Sequence, residues 1–277
     1  MTSLTSDPNK INPPASAPPC VVKTAISQVY PDRILVRGYN LVDVAEARSF
    51  GDVVYLLLRG ELPPGQEGRL IEVMLSMMVE HSINAPSIYA ARTVAACGSP
   101  VQSAMAAGVS AIGDYHGGAG EACARLLQEA LVAAPADADL DALAARMVDE
   151  VRQAGRRLPG FGHRFHNPDP RAVRLLALAE AWEIAGRHTA LALALVAALQ
   201  ERTGRSLPLN IDGALAALIS DMGFDWRLGK GFFIIARTAG LLAHVHEEMT
   251  TGKPFGFPPR AEVAYVGVGE REVEIEN

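Results

Sequence analysis

The sequence predicts an all-α fold, a large helical body with short peripheral β elements. Apolar residues make up 49% of the 277 positions, which is ample for a sizeable core. They gather in alanine- and leucine-rich segments of helical length, punctuated by Gly, Pro and capping residues. Only two stretches read as extended: Ile34-Leu-Val-Arg-Gly-Tyr39, and 262–276, where Val263, Tyr265, Val273 and Ile275 alternate with polar residues.

The formal net charge of −6 comes with no basic, aromatic-interleaved stripe, so nothing points to nucleic acid. Cys20, Cys97 and Cys123 are an odd, unclustered set without a CxxC pair. That pattern fits a reduced cytoplasm better than a disulfide scaffold, and it offers no cysteine metal site. Residues 1–25 begin with Ser, Thr, Asn and Pro and no apolar run, as a disordered tail does and a signal peptide does not. The longest apolar run, Thr189 to Leu199, falls short of the roughly 20 residues a membrane span needs. We therefore expect a cytoplasmic protein.

Taken in order, Asp43 opens an amphipathic helix, and a second over 52–58 ends at Gly60. Leu62-Pro-Pro-Gly65 breaks the pattern before a helix over 66–78. Glu80-His-Ser-Ile-Asn-Ala-Pro-Ser-Ile-Tyr89 then sets polar groups into an apolar neighbourhood. By itself His81 there reads first as a satisfied histidine near the core. A helix over 88–96 ends at Cys97-Gly98, and Ser99-Pro100 restarts one that runs to about Ile112. In Gly113-Asp-Tyr-His-Gly-Gly-Ala-Gly120, His116 sits at a helix end among glycines. Backbone amides and an imidazole can converge on one oxygen at such a place, although a flexible turn has the same composition.

Helices over 119–133 and 140–152 lead into Leu158-Pro-Gly-Phe-Gly-His-Arg-Phe-His-Asn-Pro-Asp-Pro-Arg171, a loop around which the chain is organised. Gly160 and Gly162 let the backbone turn sharply and approach a ligand. Asp169 and Pro170 read as the N-cap and first residue of the next helix. Arg171 in the first turn opposes the helix dipole unless an anion docks against both.

Helices over 170–184 and 188–201 follow, and Asn210-Ile-Asp212 opens another. An acid in the first turn is ordinary on dipole grounds alone. A long apolar helix over 231–246 carries Arg237 at its centre, where a charge needs either an internal carboxylate or an anionic ligand. His244 and His246, two residues apart, point to different helix faces and do not form a metal pair.

Several of these segments together resemble the citrate synthase superfamily, which includes citryl-CoA lyases and the lyase module of ATP-citrate lyase. The likeness runs from about Arg33 to Tyr265. It rests on Arg37-Gly-Tyr, Leu57-Leu-Arg-Gly-Glu-Leu-Pro63, Glu80-His81 with Asn84, Tyr115-His116-Gly-Gly, Gly160-Phe-Gly-His163 with Asp169-Pro-Arg171, Asn210-Ile-Asp212 and Ala236-Arg237-Thr-Ala-Gly240, in the family's order.

The resemblance implies a Claisen-type condensation, or its reverse, between a short acyl-CoA and a 2-oxo acid. In that scheme Asp212 is the base that takes the proton beside the thioester, and His116 donates to the enolate oxygen. His163 polarises the ketone, while His81, Arg171 and Arg237 hold carboxylates. Arg260 resembles the arginine that reaches a neighbouring subunit's site. Leu158, Pro159, Gly160, Phe161 and Gly162 resemble the loop that recognises the adenine of coenzyme A, with Arg164 as a phosphate contact.

Acetyl-CoA or citryl-CoA and a 2-oxo dicarboxylic acid such as oxaloacetate are thus the implied ligands, in a homodimer with no metal and no cofactor beyond the coenzyme A thioester itself. The implied fold has a large helical domain, 26–118 and 223–277, into which a small helical domain, 119–222, is inserted.

Two departures stand out. Full citrate synthases carry about a hundred more residues of helix in the interval crossed here by 64–80, so the compact chain looks more like the lyase-type members. Met78 stands where synthases often have a further histidine. Two other functions remain to be weighed: a CoA-thioester binding protein that has lost catalysis, and a metal-dependent hydrolase, for which no HExxH or tight ligand cluster is visible.

Overall fold

The computed structural model describes residues 22–163, 166, 168–256, 266–267 and 269. The fold is all-α with a small three-stranded sheet, as the sequence predicts. Strands β1 (Ser27–Val29), β2 (Ile34–Val36) and β3 (Tyr39–Asn40) pair antiparallel, with Val29 opposite Ile34 and Val36 opposite Tyr39. The stretch Ile34 to Tyr39 is thus two strands rather than one. Arg37 and Gly38 turn the chain with φ of 51° and 88°, the left-handed pair that a tight hairpin requires. The Arg37 guanidinium offsets its own strain by donating to the Leu57 carbonyl at 2.7 and 3.1 Å, which ties the sheet to the helices.

Helix α1 (Leu41–Ala47) is capped by Asn40, and α2 (Phe50–Arg59) by a reciprocal Ser49–Asp52 capping box, with Gly60 left-handed at its end. Helix α3 (Glu67–Met78) follows. Helices α4 (Pro86–Ala96) and α5 (Val101–Ser110) form a close antiparallel pair. There Gly108 lies so near Leu241 and the Ser87 carbonyl that a Cβ would come within 2.7 and 3.1 Å of them. Next come α6 (Ala119–Ala133), α7 (Leu140–Gln153), α8 (Pro170–Ala181), α9 (Arg187–Thr203) and α10 (Ile211–Asp221). After a 3-10 turn at Trp226–Leu228, α11 (Gly229–Thr251) closes the described helices. The segment 262–276, expected to be extended, lies outside the described residues except for 266–267 and 269.

Every residue from Gly213 to Ser220 is buried. A helix apolar all round belongs at the centre of a core, and α10 packs there against α6, α8 and α9. One large cluster of buried side chains joins these helices to α2, α3 and the start of α11, and a smaller one joins α4, α5 and Leu241 and Val245 of α11.

The helical stretch Trp226–Thr251 is long and apolar enough to cross a membrane by length and composition. It surpasses the run Thr189 to Leu199, but it packs against α3, α4, α5 and α6 and carries buried Arg237 and Glu248, as a core helix does. Glu248 is neutralised by Arg92 of α4 at 2.7 Å. His244 faces Glu80 at 3.3 Å while His246 is exposed, so the two histidines do occupy different faces.

Asp221, at the end of α10, holds the start of α9. Its carboxylate accepts from the backbone amides of Gly186, His188 and Thr189, from Thr189 Oγ1 at 2.6 Å, and from His188 Nδ1 at 2.9 Å. Burial raises its pKa, but these donors outweigh that and leave it lowered. Asp221→Ala is expected to cost about 2–3 kcal/mol in chemical denaturation, because it strands several amide donors at once. Since the folded value lies below the unfolded one, this contribution is present above the ordinary aspartate range and fades as pH falls through the depressed value.

Candidate active site

Local rules set the loop before α8. Asp169 caps α8 by accepting the Arg171 amide and is also the acceptor for the Ile211 amide at the start of α10, so one buried carboxylate joins two helix N-termini. Burial raises its pKa, yet the Arg171 hydrogen bonds and charge outweigh this and keep it ionised. Asn210 caps α10 through Oδ1 to the amides of Asp212 and Gly213, and its Nδ2 donates to the Gly162 carbonyl at 2.7 Å. Backbone bonds from Asn210 to Gly160 and from Gly162 to Pro208 complete the clamp. Gly160, at φ 84°, lies on Gly213: a Cβ on Gly160 would sit 2.7 Å from the Gly213 Cα, and one on Gly213 would sit 2.3 Å from the Gly160 carbonyl oxygen. Both positions therefore require glycine.

A cavity of about 750 Å³ opens beside this clamp. It is lined by His81, His116, His163, Arg171, Asp212 and Arg237, with Met78, Asn84, Tyr115, His166 and Phe233 among the other walls. Asp212 sits at its floor on the first turn of α10. Burial raises its pKa; Asp169 adds to this, while Arg171 and Arg237 oppose it. A carboxylate so placed is a stronger base than one in water.

His116 projects from a tight loop closed by paired backbone bonds between Gly113 and His116. Its Nε2 lies 2.8 Å from Oγ of fully buried Ser87, and its ring meets Phe233 edge to face. Burial first, and then the charge of Arg237, lower its pKa. A neutral ring carries one N–H, on Nδ1 where the Ser87 hydroxyl donates to Nε2 and on Nε2 where it accepts. His163 Nδ1 accepts the amide of His166, which puts the proton of a neutral ring on Nε2. Burial is the first cause of its lowered pKa, followed by His166. Each histidine is thus poised as a neutral hydrogen-bond donor.

The arginines differ from one another. Arg171 is held against Asp169 by two parallel bonds, Nε to Oδ1 at 3.0 Å and Nη2 to Oδ2 at 2.8 Å, so its charge already has a protein partner. Arg237 is 3% exposed, donates a long 3.4 Å bond from Nε to the Met78 carbonyl, and lies over the Phe233 ring. Among the described residues its Nη1 has no hydrogen-bond partner. Burial lowers its pKa, offset in part by Glu80 and Asp212. Of the two partners the sequence left open for Arg237, no internal carboxylate among the described residues forms an ion pair with it.

A second cavity, about 470 Å³, adjoins the first through Gly162 and His163. Leu158, Phe161, Val148, Val151, Leu199 and Leu207 make its apolar wall, and Arg152, Arg156, Arg157 and Arg205 its cationic rim. An apolar cavity with arginines in its lining suits an aromatic group bearing phosphates.

Residues 64–257 match the family model described as citrate synthase, C-terminal domain. The chain belongs to the citrate synthase family. Within that family it is 30% identical over 217 residues to the citrate synthase of Haloferax volcanii, which covers 76% of this chain and 55% of that protein. It is 32% identical over 199 residues to the glyoxysomal citrate synthase of Cucurbita maxima, covering 69% of this chain and 37% of that one. The chain spans about half or less of the length of these curated relatives. Its fold superposes on citryl-CoA lyase from Hydrogenobacter thermophilus with a TM-score of 0.83 and 41% identity, covering 92% of this chain and 98% of that chain.

Six family-matched residues, His81, His116, His163, Arg171, Asp212 and Arg237, converge on one cavity. Of the loop residues expected to meet the adenine, Leu158, Phe161 and Gly162 line the second cavity, whereas Pro159 and Gly160 do not, Gly160 being turned onto Gly213 and Cys123. Arg164 and Arg260 lie outside the described residues. Sequence reasoning missed Ser87, the double duty of Asp169, and the arginine rim. Asp169 was legible as a cap, but no local pattern marks the others. Where the sequence shows no tight ligand cluster, the fold brings His81, His163 and His166 together, with one ring nitrogen of each within 4.8 Å of the others.

Proposed function

We propose that this protein makes or cleaves the carbon–carbon bond between acetyl-CoA and oxaloacetate, or a related 2-oxo dicarboxylate, through citryl-CoA. The observation that carries this reading is Arg237, a buried cation whose Nη1 has no partner among the described residues, in the same cavity as a buried carboxylate and two histidines whose pKa values burial lowers. A carboxylate of the keto acid supplies the missing anion. In the forming direction Asp212 takes the proton from the carbon beside the thioester, and the neutral His116 ring stabilises the enolate oxygen as a hydrogen-bond donor. The enolate carbon attacks the ketone, whose developing alkoxide is stabilised by the His163 Nε2–H, and the proton that Asp212 took from the methyl carbon ends on that oxygen as the new hydroxyl, which restores Asp212 and leaves His163 neutral. Cleavage runs these steps backward, with protonated Asp212 returning its proton to the enol carbon.

The second cavity is read as the coenzyme A site, with the adenine against Leu158 and Phe161 and phosphates on the arginine rim. Segment 119–222 is read as a small domain whose closure excludes water, and Arg260 as a contribution to a partner's site in a homodimer. The compact chain and the likeness to a citryl-CoA lyase support the cleavage direction.

The deciding experiment measures thiol release from acetyl-CoA with oxaloacetate, and acetyl-CoA formation from citryl-CoA. Activity in either assay that disappears in Asp212→Asn supports the proposal, and no activity in both would overturn it. Ser87→Ala removes the hydroxyl that holds the His116 ring through Nε2. It is expected to lower kcat by roughly 5- to 10-fold, the worth of about one hydrogen bond, with KM for the keto acid little changed in steady-state assays.

A further inference from the structure

We propose that His81, His163 and His166 form a site for one transition-metal dication such as zinc(II), and that the metal blocks the keto-acid subsite. Binding stands on the histidine geometry, while the block rests on the function proposed above. One ring nitrogen from each residue lies within 4.8 Å of the other two. The His163 and His166 rings stack at 4.6 Å, and His81 meets them edge-on at 5.6 and 6.1 Å.

Zinc–nitrogen bonds of about 2.0–2.1 Å in a tetrahedron place ligand nitrogens about 3.4 Å apart, so ring rotation suffices to close the set. The ligands come from both sides of the cavity, His81 from the segment after α3 and the other two from the loop before α8. The cavity gives the ion an entry path and leaves a fourth position to water or a carboxylate, the arrangement of an open three-ligand site. Three imidazoles with no carboxylate select zinc, copper or nickel over magnesium or calcium. Arg171 and Arg237 in the same cavity oppose a dication, and Asp169 and Asp212 offset them, so the site is weaker than a structural zinc centre.

Coordination also changes the chemistry of His163. Its Nδ1 accepts the His166 amide, which leaves the ring proton on Nε2. A metal at Nε2 requires that proton to move to Nδ1, which breaks the hydrogen bond from the His166 amide. The metallated ring then has no N–H for the ketone oxygen, so metal binding and ketone polarisation exclude one another.

The test uses the full chain without a histidine tag, stripped of metal and titrated with cobalt(II). The expected result is visible d–d absorption saturating at one equivalent per chain, displaced by zinc and by oxaloacetate. His166→Gln and His81→Gln, on separate segments, should each weaken cobalt binding by at least ~10-fold, the lower end of what losing even an outer-shell partner costs. Zinc should inhibit turnover competitively with oxaloacetate, and His166→Gln should relieve that inhibition by a similar factor. Absence of a cobalt band, or unchanged affinity in both variants, would overturn the site, and turnover insensitive to zinc would overturn the block. Cobalt binding in a protein without turnover would leave the metal site standing and remove the proposed function instead.

Discussion

Replacing Asp212 with Asn should lower turnover by about 10²–10⁴-fold, the range a positioned general base supplies, with KM for the keto acid little affected. The two groups are nearly equal in size, so the loss reports the proton acceptor and not the packing. Burial holds the Asp212 pKa above its ordinary value of 3.8. In the condensing direction the base must be ionised, so the rate should fall on the acid side as pH drops through that raised value. The acid limb should accordingly lie above the ordinary aspartate range.

The same shift has a stability consequence of opposite sign to the Asp221 case. A carboxyl with a raised folded pKa binds more protons in the folded than in the unfolded state between the two values. Its contribution therefore diminishes as pH rises through that window, and at neutral pH its charge costs stability. Asp212→Asn should melt at or above the wild-type temperature at pH 7 while being nearly inactive. A variant that loses activity and melts much lower would indicate a structural role instead.

Arg237→Met should raise KM for the keto acid by between about 30-fold and a few thousandfold, corresponding to the roughly 2–5 kcal/mol lost when one partner of a buried charge pair is truncated. The unliganded protein should not suffer, because Nη1 has no partner among the described residues and an apolar side chain of similar volume removes a desolvated charge. Thermal melting without ligand and steady-state kinetics with varied oxaloacetate measure the two halves of this statement. Arg237→Lys keeps the charge but loses the planar fork, and it should recover only part of the affinity. If Arg237→Met unfolds the protein while substrate affinity is retained in Arg237→Lys, the guanidinium serves the core and not the ligand.

Local signals made most of the helices legible in the sequence. Asp169-Pro170 and Asn210 are caps whose acceptors satisfy amides two or three residues on, and Gly60 ends its helix in the left-handed conformation; such interactions lie within one turn and are written in adjacent residues. Six polar residues of the main cavity, His81, His116, His163, Arg171, Asp212 and Arg237, were found through a resemblance in ordered motifs, not through local signals, which had favoured structural roles for His81 and Asp212. What the sequence left open was decided by contacts across long separations. Ser87 meets His116 across 29 positions, Asp169 meets the Ile211 amide across 42, and Arg237 meets Met78 across 159. The convergence of His81 with His163 and His166 is of the same kind. Only the packed fold decides whether a buried guanidinium finds a carboxylate, because that depends on which helices meet around it. Here α10 and α11 bring Asp212 and Arg237 to one cavity without an ion pair between them, and Arg237 Nη1 stays without a partner among the described residues.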